Sequence, residues 1–301
     1  MIPGNHRISL LKVGFLAAVM MAFSVSAAWA DLFVSRDSNG TVLQYDESNG
    51  NLIADFVGGG VGGARGVLWG PDGNLYVASD SLKSILRFDS TGKNMQVFVA
   101  SAGELSGPRG IIFGPDGTLF VSSKSTNTVE HYDKTGKSLG SFVTQGSGGL
   151  SGPRGLLFGP DGNLYVASFD TGQVLMYDGT KGTFLGVFAD GGHNINGFTF
   201  GPDGNLYVSK GSTGAIQQYD AGGSYLKDFV SAGSSPLGDP NGVVFGPDGN
   251  LYVCDLNGGG VLRYNGTNGN FIDFFVDPGH RLNTTYLTFT KTDPVTLNYI
   301  P

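Results

Sequence analysis

A tetrapeptide repeat, Gly-Pro-Asp-Gly, constrains the fold of this chain more than any other feature. Its copies begin at residues 70, 114, 159, 201 and 246, so they are 42 to 45 residues apart. Four copies continue as GPDGNLYV, and the copy at 114 continues as GPDGTLFV. A period in the low forties with several short strands per unit is typical of a β-propeller blade. The repeat therefore predicts a ring of such blades.

Each repeat unit contains four candidate strands. The first ends in an aromatic residue, as in RGVLWG, and the second is NLYVAS or a relative of it. The third resembles SILRFD, and the fourth ends in a phenylalanine such as Phe98 or Phe142. β-Branched, aromatic and leucine residues fill these runs, and Gly, Asp, Asn or Ser bound them, which is the pattern of strands. The sequence predicts an all-β fold with four antiparallel strands per blade.

The two ends of the chain together supply one more blade. Residues 32–57 match strands two to four of a unit, and residues 285–291 match a first strand with nothing after it. Phe289 follows Phe245 by 44 residues, which is one period. We therefore expect the C-terminal strand to complete the N-terminal blade and close a six-bladed β-propeller, which leaves no end blade unpaired.

The flanking segments predict an exported protein. Residues 1–30 have a basic start, an apolar run over 13–25 and a small-x-small cleavage site that ends at Ala30, which is the pattern of a secretory signal peptide. The apolar run is shorter than the roughly 20 residues that span a bilayer. The expected division is a signal peptide, a propeller over 31–291 and a C-terminal tail over 292–301. The expected location is secreted or periplasmic, with no membrane span.

The net charge and the cysteine content exclude two features, namely general binding of nucleic acid and an intrachain disulfide. The chain has 18 basic and 25 acidic residues, a net charge of −7. An acidic protein is a poor general binder of nucleic acid, so no nucleic-acid partner is expected. Cys254 is the one cysteine, which excludes an intrachain disulfide.

The repeated loop itself predicts a turn rather than a site. Pro71 presets φ for the first turn position, Asp72 bonds nearby backbone amides, and Gly73 takes positive φ. A calcium loop needs several acidic residues at alternating positions, whereas each copy offers one.

The positions that fail to repeat are better candidates for a ligand site. Loops that enter the innermost strands line the mouth of a propeller channel, and the residue before each entry glycine varies between blades. Aligned by the closing strand, the six residues are Arg65, Arg109, Arg154, Asn196, Asn241 and Thr285. Guanidinium groups bind carboxylates and phosphates in bidentate geometry. We therefore predict a site for a small anionic or polar ligand, or for a protein partner, at this mouth.

Two further observations bear on that site. His193 and His280 lie in loops that lead to inner strands, and we include them in the predicted ligand-binding set for proton transfer or metal binding. Alternatively, the arginines simply pair with neighbouring aspartates: Arg65 with Asp80, and Arg154 with Asp170. Two other aspartates are similarly placed, Asp37 and Asp255.

The unit PRGLLFGPDGNLYVASFDTGQVLMYD, residues 153–178, resembles an NHL repeat in its P-x-G entry, its D-G turn and its hydrophobic strand pattern. The resemblance extends over nearly the whole chain after residue 30. Two enzyme families share the pattern: gluconolactonase/regucalcin-like propellers and streptogramin lyases, whose repeats also carry GPDGNL followed by an aromatic residue. The resemblance implies the propeller fold, and the activity has to be argued from the site.

Neither enzyme family matches at the site. The gluconolactonase resemblance implies a divalent metal held by acidic and asparagine ligands at the entry positions, where this chain has asparagines but also three arginines. The streptogramin-lyase resemblance implies a histidine and glutamates around magnesium, with Glu-x-His in one entry loop and one blade more. This chain has only Glu47, Glu104 and Glu130, and no Glu-x-His. The sequence therefore favours a binding module without a cofactor, assigns no catalytic residue, and leaves the two enzymes as alternatives.

Overall fold

Six four-stranded antiparallel sheets form the protein in a computed structural model, which describes residues 30–101, 103–211, 213–279 and 283–290. The predicted all-β, six-bladed propeller is confirmed. One 3-10 turn, Ser147–Gly149, is the only helical element within the described ranges. No helix in this part of the chain has the length and apolar character needed to cross a membrane. The predicted signal peptide before Ala30 and the tail over 292–301 lie outside the described residues.

Each blade contributes one strand to each of four concentric positions. The innermost strands are β4 (Ala64–Trp69), β8 (Pro108–Phe113), β12 (Pro153–Phe158), β16 (Ile195–Phe200), β20 (Pro240–Phe245) and β24 (Thr284–Phe289). The second strands are β1 (Leu32–Arg36), β5 (Leu75–Ser79), β9 (Leu119–Ser123), β13 (Leu164–Ser168), β17 (Leu206–Lys210) and β21 (Leu251–Asp255). The third are β2 (Thr41–Tyr45), β6 (Ser84–Phe88), β10 (Thr128–Tyr132), β14 (Gln173–Tyr177), β18 (Ala215–Tyr219) and β22 (Val261–Tyr264). The outermost are β3 (Leu52–Val57), β7 (Gln96–Val99), β11 (Ser138–Val143), β15 (Phe184–Asp190), β19 (Tyr225–Val230) and β23 (Phe271–Val276).

The ring closes as the ends of the sequence predict. Strand β24 pairs antiparallel with β1, with Leu32 opposite Phe289, so the first blade has the order β24-β1-β2-β3. The other five blades each use four consecutive strands. Closure by hydrogen bonds between the two ends of the chain removes the exposed strand edge that an open array would have.

Aromatic side chains of the repeat hold neighbouring blades together. Tyr76 of the NLYV segment meets Phe98 of its own blade edge-on at 5.0 Å, and Phe113 of the next blade at 4.9 Å. Tyr252 repeats the contact across the closing seam, 5.1 Å from Phe289. Such pairs contribute about 0.5–1.5 kcal/mol beyond the area they bury. One cluster of buried apolar residues fills each seam between two blades.

The repeated GPDG loop is a turn, as predicted. The Asp72 carboxylate accepts hydrogen bonds from the Asn74 backbone N–H at 3.1 Å and from the Tyr76 hydroxyl at 2.9 Å. Gly73 has φ of 76°, a left-handed conformation that glycine adopts without strain. The motif thus connects a hairpin turn to the tyrosine that packs against the next blade.

A β-bulge interrupts every innermost strand near its start. In β12, for example, the pairing with β13 shifts between Pro153 and Leu156. In alternate blades a serine of the second strand bridges this bulge: Ser122 accepts the Gly110 N–H at 2.8 Å and donates to the Arg154 carbonyl of the next blade at 2.6 Å. Ser35 and Ser209 repeat the bridge to the next blade, whereas the equivalent residues of the other blades are Ala78, Ala167 and Cys254.

Candidate functional site

The bulges place the six variable residues at one end of the channel. Each of these residues lies inside the bulge of its strand. Five of them directly precede a glycine, and Thr285 precedes Tyr286. Bulges commonly redirect a side chain in this way. The glycines allow adjacent strands to approach closely: a Cβ added at Gly197 would lie 2.6 Å from the Asn241 carbonyl oxygen. We call the end of the channel formed by these residues the mouth.

Two of the three arginines at the mouth are neutralised by aspartates of the preceding blade. Arg65 Nη2 lies 2.8 Å from Asp37 Oδ2 and 3.6 Å from Asp80 Oδ2. Arg109 Nη1 lies 2.6 Å from the same Asp80 oxygen. The guanidinium side chains are 15% and 12% exposed, so these pairs are largely shielded from solvent. Of the pairs named as the alternative, Arg65–Asp80 is present at 3.6 Å. The shorter pairs Arg65–Asp37 and Arg109–Asp80 were not predicted.

Arg154 has a different environment. Its Nη1 donates to the Asn196 side-chain oxygen, and its guanidinium carbon lies 3.4 Å from the centre of the Phe169 ring. Within the described part of the chain it has no carboxylate within 4.0 Å, and its Nε is buried without a hydrogen-bond partner. Burial lowers the Arg154 pKa to about 10. The Tyr286 phenol and the Asp239 carboxylate oppose this shift, and the positive charges of Arg109 and Arg65 add to it. The group remains protonated at neutral pH.

Arg154 lacks a carboxylate partner because of the residue that follows the second strand of the preceding blade. The residue directly after the second strand is Asp37 in the first blade and Asp80 in the second, and each faces the arginine of the next blade. In the third blade this position holds Lys124, whose pKa is lowered by burial and by the charges of Arg109 and Arg154. Arg154 thus faces a cation where the other two arginines face an anion.

The predicted pairing of Arg154 with Asp170 is therefore not formed. Phe169 occupies the first position after its strand, which displaces the acidic residue by one place along the loop. Asp170 instead accepts a hydrogen bond from the Ser151 hydroxyl at 2.8 Å. Asp255 accepts the backbone N–H groups of Gly238 and Asp239.

Tyr286 is a site residue that the sequence analysis missed. It stands where the other five innermost strands have glycine, and it lines the channel. Its hydroxyl oxygen is buried and has no hydrogen-bond partner among the described residues. Burial raises the Tyr286 pKa, and the charges of the three mouth arginines oppose that rise. The signal in the sequence was a tyrosine in the place of a glycine that five repeats share.

The two asparagines and Thr285 are buried, and Asn196 and Thr285 make hydrogen bonds within the protein. Asn196 is buried, and its amide donates to the Pro240 carbonyl at 2.8 Å. Asn241 is buried beside it on the next strand. The Thr285 hydroxyl bonds to Ser35 at 2.9 Å and to the Ala64 carbonyl at 3.0 Å, so it fastens the closing strand.

The structure describes one of the two predicted histidines, and no contact joins it to the mouth. His193 is exposed in the loop before β16, and its carbonyl accepts a hydrogen bond from the Lys210 ammonium at 2.9 Å. No hydrogen bond or ion pair joins its imidazole to another described residue. His280 lies outside the described residues.

A narrow channel lined by apolar side chains, two threonines and glycine backbone continues below the mouth. It has a volume of about 100 Å³, and the two residues that follow the glycine position in each innermost strand line it. Val67, Ile111, Leu156 and Val243 are examples from four blades. Because successive residues of a strand rise about 3.3 Å, the channel begins directly beneath the variable residues.

The mouth does not fit a divalent cation of the kind that the two resembled enzyme families bind. Within the described ranges, no three His, Cys, Asp or Glu side chains lie close enough together to hold a metal ion. The entry positions instead hold three arginines, two asparagines and a threonine. Hard divalent cations require oxygen ligands, and guanidinium groups at those places repel them.

Fold and site together define a six-bladed β-propeller with a cationic, hydrogen-bond-donating channel mouth. No model of a protein family matches the sequence, and no curated protein is significantly similar to it. Similar solved structures include a chain of a nidogen/laminin complex, with 18% identity over 86% of this chain and 98% of that chain and a TM-score of 0.73. A streptogramin B lyase is 16% identical over 89% of this chain and 80% of its own, with a TM-score of 0.62. A protein of unknown function from Bacteroides caccae is 15% identical over 88% and 100%, with a TM-score of 0.69. The resemblance noted in the sequence is thus confirmed for the propeller fold.

Proposed function

We propose that the protein is a binding propeller that holds a small anionic group at the channel mouth, with Arg154 as the main charged contact. One observation carries the proposal: the mouth contains three buried hydrogen-bond donors without acceptors among the described residues, namely Arg65 Nε, Arg154 Nε and the Tyr286 hydroxyl. Buried polar groups in proteins are nearly always satisfied, by water or by a ligand when not by the chain. Unsatisfied donors at one end of the channel call for an acceptor, and an anion supplies the strongest one.

The proposed site takes one negative charge. Asp37 and Asp80 pair with Arg65 and Arg109, so Arg154 and the adjacent Lys124 are the mouth cations that have no carboxylate within 4.0 Å among the described residues. The carboxylate of Asp239 lies farther away and also acts on Arg154 through its charge. The ring of Phe169 holds the guanidinium plane in place and leaves its edge free to bind.

We expect native protein to bind acetate or inorganic phosphate, measured by isothermal titration calorimetry at low ionic strength. Arg154→Met should weaken that binding about 100-fold, because charge-assisted hydrogen bonds contribute up to about 3 kcal/mol each. The free energy of unfolding should fall by about 1–2 kcal/mol, because no carboxylate loses its partner but the buried side-chain oxygen of Asn196 loses a donor. Arg87→Met, which removes a partly exposed arginine paired with Asp72 at 3.7 Å, is the matched control and should bind normally.

A second variant tests the site without removing Arg154. Lys124→Asp copies the residue found at the same position in the second blade, so the new carboxylate should pair with Arg154 and compete with the ligand. Loss of binding in both variants supports the proposal. Failure of the native protein to bind either anion, or unchanged binding by Arg154→Met, would refute it.

A metal-dependent enzyme of the gluconolactonase or streptogramin-lyase type is the alternative. Elemental analysis of the purified protein separates the two: a stoichiometric divalent ion whose removal by a chelator abolishes ligand binding would favour the enzyme. The donor set at the mouth supports the binding module instead.

A protein partner is a second source for the anionic group. The similar structure of the nidogen/laminin complex contains a propeller bound to another protein. An acidic side chain or a chain terminus of a partner presents the same carboxylate that acetate presents, so both sources use the contacts proposed here.

We also propose that the protein acts outside the cytoplasm, after cleavage near Ala30. The basis is the signal-peptide pattern over residues 1–30. Expression in an exporting host should yield a chain whose intact mass begins at or within a few residues of Asp31. A chain that retains its first 25 residues in the soluble fraction would contradict export.

A further inference from the structure

We infer that the anion bound at the mouth is the carboxylate of a short aliphatic acid whose hydrocarbon chain enters the channel. The inference rests on the proposed function and adds the chemical class of the ligand. The mouth offers guanidinium and hydroxyl donors. The side chains that line the space beneath it are mainly valine, leucine, isoleucine and phenylalanine, with Thr199 and Thr288 among them. A ligand that satisfies both parts has one charged end and one apolar end.

Tyr286 connects the two parts of this site. Its ring lines the channel wall, and its hydroxyl lies buried near the mouth arginines without an acceptor among the described residues. A carboxylate that bridges this hydroxyl and Arg154 must sit at the top of the channel. Its hydrocarbon chain then points down the axis, between Leu156 and Val243 among other residues of the wall.

The size of the channel limits the length of the acid. Its volume is about 100 Å³, whereas an apolar cavity of roughly 150 Å³ holds benzene. A tail of about three or four carbons therefore fits, and a longer chain or a large ring does not. Butanoate and 3-methylbutanoate have the expected dimensions.

The test is a series of linear carboxylates, from acetate to octanoate, titrated calorimetrically into the native protein. Each methylene group buried in the channel should tighten binding about fourfold. The gain should stop near five carbons, where the channel is full. Inorganic phosphate, which has no tail, should bind no better than acetate.

Two channel variants make the test specific. Val243→Phe copies Phe198, which occupies the same position in the fifth blade, and Thr199→Leu copies Leu157 of the fourth blade, so both side chains already occur at this level of the ring. Each variant should lose most of the gain in affinity from acetate to butanoate that the native protein shows. If one of them does not fold, the other retains the comparison.

The outcomes separate this inference from the proposed function. Equal affinities for acetate and butanoate, or a chain-length gain that both channel variants keep, would overturn the inference and leave the anion site standing. Absence of binding by any anion would overturn both. Binding of phosphate with no binding of carboxylates would show an anion site of a different class.

Discussion

An Asp80→Asn variant is expected to bind acetate about tenfold more tightly than the native protein, and to unfold more readily. Asp80 bridges two arginines at the mouth, at 2.6 Å from Arg109 and 3.6 Å from Arg65. Removal of its charge leaves Arg109 without a carboxylate partner, and a partly buried cation that loses its partner attracts an anion strongly. The substitution should therefore raise the affinity for acetate and lower the free energy of unfolding.

The free energy of unfolding should fall by about 1–2 kcal/mol. Loss of one partner of a fully buried ion pair costs about 3–5 kcal/mol, and the smaller value is expected here because the Asp80 side chain is 29% exposed. Urea denaturation measures it, and addition of acetate should restore part of it because a ligand that binds only the folded state stabilises that state. High salt should reduce the gain in affinity. Asp170→Asn, which removes a carboxylate with no arginine partner, is the control. Unchanged affinity in Asp80→Asn would show that the ligand binds away from these arginines.

Gly197→Ala is expected to lower the free energy of unfolding by about 2–3 kcal/mol, the range typical of overpacking. The new Cβ would lie 2.6 Å from the Asn241 carbonyl oxygen of the next blade, and all of its nearest neighbours are backbone atoms. Strands β16 and β20 would have to move apart, which also disturbs the channel between them.

The control lies in the same blade. Gly204 has φ of 77° in its GPDG turn, and a Cβ there meets nothing within 4 Å. Gly204→Ala should therefore cost only the conformational penalty of about 1 kcal/mol. Urea denaturation of both variants measures the difference. If the turn variant loses as much stability as Gly197→Ala, close approach of the innermost strands is not the reason for their glycines.

The repeat made the fold predictable in unusual detail. A fixed period gave the blade boundaries, and a first strand found only at the C-terminus gave the closure that pairs Leu32 with Phe289. Alternating apolar residues and turn residues are local features, so one sequence is enough to read them.

The site could be predicted only in part, because it depends on one-residue shifts. The six mouth positions were found by alignment with the entry glycines. The lack of a carboxylate partner for Arg154 could not be predicted. Phe169 moves Asp170 one place along its loop, and Lys124 takes the position that an aspartate has in two other blades. A bulge in every innermost strand also changes which way neighbouring residues point, and Tyr286 became visible as a site residue only through its buried hydroxyl.

Serine side chains bridge neighbouring blades at every second boundary of the ring, so three of the six boundaries have this bridge. Ser35 joins the first blade to the second, Ser122 the third to the fourth, and Ser209 the fifth to the sixth. The other three seams have alanine or cysteine at that position. The serine bridges therefore divide the six blades of the chain into three pairs, and one pair of blades is the smallest fragment that contains such a bridge. The three seams without serine are joined by other polar contacts instead: Asp80 with Arg109, Arg154 with Asn196, and the Thr284 hydroxyl with the Asp255 carbonyl.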